Sequence, residues 1–139
     1  MPKIDVTFIV EDGQDPVAKA RPRWSHGRVY TPSRTVNAEN MIRKKWKEAG
    51  GEMIHGPVAV TISFQLQTPK SWSQAKKIMA QDREILPLKK PDIDNILKII
   101  MDGLNGVAYH DDKQVVEATI RKRFDSEPRV EVTLKEVAP

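Results

Sequence analysis

The run Lys89-Lys90-Pro91-Asp92-Ile93-Asp94-Asn95-Ile96-Leu97-Lys98 carries the chain's most chemically pointed pattern. It has two carboxylates two residues apart, then a lysine one helical turn after the second. Carboxylates that close repel each other unless a cation neutralises them. Hard ions such as Mg²⁺ and Mn²⁺ prefer oxygen ligands, and Lys98 is placed to reach an anion bound beside such an ion. A structural reading stands next to this one. Asp94 serves equally as a helix N-cap, and Asp94–Lys98 as an i,i+4 ion pair worth a few tenths of a kcal/mol. Asp102, one turn further on, either holds Lys98 or makes a plain surface pair. A second acidic group, His110-Asp111-Asp112, follows in a short loop. By itself it reads as a solvated turn, with His110 a bystander or a general base.

The elements that must position these residues follow from periodicity. Asp94–Asn105 reads as a helix ended by Gly106. At about 100° per residue, Asp94, Lys98 and Asp102 share one side, opposite Ile96, Leu97, Ile100 and Leu104. Asp92 lies in extended chain just before it. A helix of about twelve residues is roughly 18 Å long. To bring Asp111-Asp112 to its start, the following strand must run back beside it or the loop must fold over. Strands are read at Lys3–Val10, Val58–Leu66, Val115–Phe124 and Arg129–Val137 from alternating apolar residues. The last two read as an antiparallel pair joined near Asp125–Pro128. Arg21–Thr31 reads as an irregular hairpin turning at Ser25-His26-Gly27-Arg28. Helices are read from Pro32-Ser33 to Ala49, and from a Ser71-Trp72-Ser73 cap to about Arg83. The expected fold is α/β (α+β): a single domain over 1–139, with a mixed sheet of about four strands flanked by helices.

Composition sets the frame. A chain of 139 residues fits one domain. With Cys at 0 it offers no disulfide framework and no Cys-ligated zinc site. No apolar run reaches the ~18 residues of a membrane span, and the start lacks an export signal, so a soluble cytoplasmic protein is expected. The net charge is +4, unevenly spread. Lys19–Lys47 holds nine cations against one acid, Glu39, a net of +8. Such a block suits DNA phosphates, although a solvated basic face is the commoner use of a charge run. Lys19, Arg21 and Arg23, stiffened by Pro22, are the favoured phosphate contacts.

Together the motifs resemble the RusA family of Holliday-junction resolvases, of the phage and prophage type. The resemblance rests on Lys90-Pro91-Asp92-Ile93-Asp94-Asn95 with Lys98, then Met101-Asp102-Gly103-Leu104-Asn105-Gly106, then His110-Asp111-Asp112-Lys113-Gln114-Val115. Upstream, Lys19-Ala20-Arg21-Pro22-Arg23 and Tyr30-Thr31-Pro32 add to it. It implies a RusA-like fold and a homodimer with a metal site in each subunit, cutting DNA four-way junctions in paired symmetric nicks with 5′-phosphate ends. It also implies Asp92, Asp94 and Asp112 as metal ligands and catalytic residues, Asp111 as an additional ligand, and Lys98 as the catalytic lysine. Mg²⁺ is the implied ion, with Mn²⁺ as the other choice. Lys89 and Lys90 join Lys19, Arg21 and Arg23 as expected DNA contacts. Two rival readings are a non-catalytic structure-selective DNA-binding protein and a metal-dependent phosphohydrolase acting on another substrate.

Overall fold

A computed structural model describes residues 5–10, 23–25, 28–30 and 33–138, with side chains from Asn37 onward. The elements in order are β1 (Asp5–Val10), β2 (Arg23–Ser25), β3 (Arg28–Tyr30), α1 (Ser33–Glu48), β4 (Val58–Leu66), α2 (Gln74–Gln81), α3 (Ile93–Leu104), a 3₁₀ turn (Asp112–Gln114), β5 (Val115–Phe124) and β6 (Arg129–Glu136). The expected strands and helices are all present, within a few residues of their read boundaries. The short strands β2 and β3 pair antiparallel, with Ser25 opposite Arg28, and the turn residues between them lie outside the described residues.

The main sheet has four strands in the order β1-β6-β4-β5. It is mixed: β5 runs parallel to β4, while β6 is antiparallel to both β4 and β1. This corrects the expectation that β5 and β6 form a hairpin, because β4 lies between them. Strand β4 is the most continuously apolar, and on its core face Val58, Val60, Ile62, Phe64 and Leu66 are all buried. A central position gives it partners on both edges and the greatest burial. The four residues between β5 and β6 step over its end, where Asp125 N–H donates to Leu66 O at 2.9 Å. Asp125 also accepts from Glu127 N–H at 3.2 Å and pairs with Arg129 at 3.5 Å, which fixes the crossing.

Helices α1 and α3 cover one face of the sheet. Ile42 and Trp46 of α1 and Ile96, Ile99, Ile100 and Leu104 of α3 form one core with Val130, Val132 and Leu134 of β6. Their close approach depends on Gly103. A Cβ there would lie 3.0 Å from three atoms of Ile42, tighter than ordinary contact. Helix α2 is capped by Ser73, which accepts from Lys76 N–H at 3.2 Å. Ahead of it Trp72 meets Phe124 edge-on at 5.3 Å, with the Lys76 ammonium 4.1 Å from its ring centre. Trp72 is therefore a packing residue tied to the end of β5. No helix among the described residues is long and apolar enough to cross a membrane.

Candidate active site

The first acidic pair stands where α3 begins. Asp92 is the N-cap, with extended backbone at φ −74° and ψ 152°, yet its side chain makes no capping hydrogen bond. The helix starts through its carbonyl alone, which accepts from Ile96 N–H at 3.1 Å. Asp94 occupies the first turn, where the helix dipole favours a negative charge. Both side chains are exposed. Lys98 pairs with Asp102 at 3.7 Å and not with Asp94, so the i,i+4 pair considered from the sequence is not formed. Lys98 is 60% exposed and Asp102 only 20%, so the half-buried carboxylate anchors an exposed ammonium. The polar face thus carries two unspent carboxylates followed by a tethered cation.

The loop after α3 is tightly built. Gly106, at φ +83°, supplies the left-handed turn that few other residues tolerate. Tyr109 then turns inward: its ring is 1% exposed and its hydroxyl donates to Met101 O of α3 at 2.6 Å. Burial pushes its phenol far above the usual range, and the negative charges of Asp112, Asp102 and Asp111 add to this. The charges of all three carboxylates thus bear on one buried, neutral phenol. Trp46 Nε1–H of α1 donates to Val107 O at 3.2 Å, and Ile54 N–H to Ala108 O at 2.8 Å, binding the loop to two further elements.

Asp111 caps the 3₁₀ turn. It accepts Lys113 N–H at 2.9 Å, and that bond holds its carboxyl below the usual carboxylate range. Gln114 completes a capping box. Its Oε1 accepts from the N–H groups of His110 (2.7 Å) and Asp111 (3.2 Å), and its Nε2 donates to Ile54 O (2.9 Å) and Gly56 O (3.1 Å). All four hydrogen-bonding positions of the amide are used. The partner of His110 is His55, with Nδ1 and Nε2 3.0 Å apart. Sequence reading missed His55 and the clamp role of Gln114, because their partners lie 55 and 60 residues away. The only local signal was the Asp-Asp-x-Gln spacing.

The structure joins Lys98 to Asp102 and groups Asp102, Asp111 and Asp112 near Tyr109. It does not bring Asp111-Asp112 to Asp92-Asp94. Strand β5 does run back beside α3, but the residues it brings beside Asp92 are Ile120 to Arg123, well along the strand, while Asp112 precedes its start. Among the described residues no three His, Cys, Asp or Glu side chains converge to hold a metal ion. Lys89 and Lys90 are exposed in the segment leading to Asp92, which is tied to β5 by Lys122 Nζ donating to Lys89 O at 2.6 Å. Lys19 and Arg21 lie outside the described residues. Arg23 opens β2, where the backbone alone is described.

The mixed sheet, the acid-lined helix start and the second acidic turn belong to one α+β domain. The model of the endodeoxyribonuclease RusA family matches residues 14–135, nearly the whole domain, and the chain belongs to that family. It is 36% identical over 131 residues to the uncharacterized protein YqaN of Bacillus subtilis, covering 89% of this chain and 92% of that one. It is 26% identical over 98 residues to the crossover junction endodeoxyribonuclease rusA of Lactococcus phage r1t, covering 70% and 66%.

Proposed function

We propose that the chain is a metal-dependent endonuclease that binds DNA four-way junctions as a homodimer. It nicks two symmetrically placed strands and leaves 5′-phosphates. The observation that carries this is the pair Asp92 and Asp94: exposed carboxylates at the start of α3, neither spent on a cap nor on an ion pair, in a chain of the RusA family. Their donor set is oxygen only, which fits Mg²⁺ or Mn²⁺. Mg²⁺ is commonly held by one or two carboxylates, with water and substrate phosphate completing its shell, so the want of a three-residue cage is no obstacle. When bound, such an ion makes a better nucleophile of water and neutralises charge on the phosphate.

The chain's own residues do the rest. Asp92 and Asp94 would hold the ion. Lys98, tethered by Asp102, offers its ammonium to the phosphate oxygens as their charge grows. Lys19, Arg21, Arg23, Lys89 and Lys90 bind the DNA backbone.

The test is cleavage of a synthetic four-way junction beside a matched linear duplex, with Mg²⁺ or with EDTA. Symmetric nicks in the junction alone, lost in EDTA, are expected. Asp92→Asn should bind the junction and leave it uncut. Nicking by Asp92→Asn at the wild-type rate, or equal cutting of the duplex, overturns the reading.

A further inference from the structure

A cleft of about 800 Å³ opens beside Asp92, between the segment joining α2 to α3 and the second half of β5. Its apolar wall is Leu86, Pro87, Leu88, Ile93 and Ile120. Leu88 is 98% exposed, Leu86 52% and Ile93 46%, a costly display of aliphatic surface unless something covers it. Its cations are Arg83, Arg121, Lys122 and Arg123, and among the described residues Asp92 is the one carboxylate lining it. Two of these cations bond neutral carbonyls: Lys122 to Lys89 O, and Arg83 to Phe124 O at 2.6 Å. Those bonds fix the cleft's walls without cancelling charge. Sequence reading took β5 for an ordinary strand and assigned none of these cations a role.

We propose that this cleft receives one unpaired nucleotide of the DNA strand whose neighbouring phosphate lies at Asp92. The lining matches such a group in both of its halves. Aliphatic side chains cover the face of a base, and the arginines take the flanking phosphates. An intact duplex offers phosphates but no bare base face, so it would leave the leucines unmatched. The cost of unstacking is lowest for a base already freed, as at a branch point. This proposal rests on the junction-nuclease reading and deepens it: the enzyme selects branched DNA by capturing a base that linear duplex does not release.

The experiment places 2-aminopurine, bright when unstacked, at the branch-point nucleotide or within an arm of the junction, in EDTA so that nothing is cut. Among the described residues no aromatic side chain lines the cleft to quench it. The full-length protein should brighten the branch-point probe and leave the arm probe dark. Leu86→Glu and Leu88→Glu lie at exposed positions and should fold normally. Each should lose the brightening and bind the junction about tenfold more weakly, the loss of one base contact. Junction binding without brightening overturns the cleft and leaves the nuclease reading standing. A fall in self-association of the leucine variants, read by sedimentation, overturns it in favour of an interface between two copies. Failure of the unaltered protein to bind the junction overturns both.

Discussion

Gln114→Ala tests whether one amide holds the acidic loop in place. The substitution removes four hydrogen bonds. They are not equal. His110 and Asp111 are exposed, and water replaces the bond to each N–H at little net cost. Ile54 is 0% exposed, and its carbonyl loses Nε2–H with no ready substitute. An orphaned buried acceptor costs about 1–3 kcal/mol, and the Gly56 bond adds up to about 1. The expected loss is about 2–3 kcal/mol, which for a domain of this size lowers Tm by roughly 6–12 °C. Thermal unfolding followed by far-UV circular dichroism reads it directly. Gln114→Glu is the control: at neutral pH a carboxylate still accepts but turns no donor toward the two carbonyls, and it adds charge beside Asp111. It should lose at least as much as the alanine variant. A fall of less than about 2 °C in both would refute the clamp.

Three further outcomes follow from the packing and the charges. Gly103→Val should cost about 1–3 kcal/mol in urea unfolding by forcing α1 from α3, and Ile42→Val in the same chain should return part of it. At Asp125, burial pushes the carboxyl up, but Glu127 N–H, Arg129 and Ser126 outweigh it and hold the group below the usual range. A depressed native value means stability present above the unfolded value near pH 4 and lost as pH falls through the native one. Asp125→Ala should therefore be less stable by about 1 kcal/mol at neutral pH and lose less on acidification. Tyr109 has the opposite sign, since its raised value stabilises below about pH 10 and is lost in alkali. Tyr109→Phe should flatten the alkaline limb of the stability curve, and an unchanged limb would argue against the buried phenol.

Much of this was legible without coordinates, because it is local. Alternation marked β4, β5 and β6, and the 3.6-residue period marked α3, since each depends on neighbours a few residues away. The same period put Asp94, Lys98 and Asp102 on one side of the helix and left Ile96, Ile100 and Leu104 for the core. What pairs with what was not legible. The apparent β5–β6 hairpin gave way to β4 inserted between them, because burial rewards the most apolar strand with the centre, and nothing in a four-residue connection reveals what it steps over. The acids followed the same rule. Helix geometry set Asp92 and Asp94 together at one end of α3, while only the path of the chain left Asp111 and Asp112 at the other. The loop clamp of Gln114, the pairing of His55 with His110 and the cations of β5 beside Asp92 are contacts between distant parts of the chain. The chemical groups of the site and their local spacing belong to the sequence. Their company belongs to the tertiary structure, because burial of the core, and not chain neighbourhood, decides which segments meet.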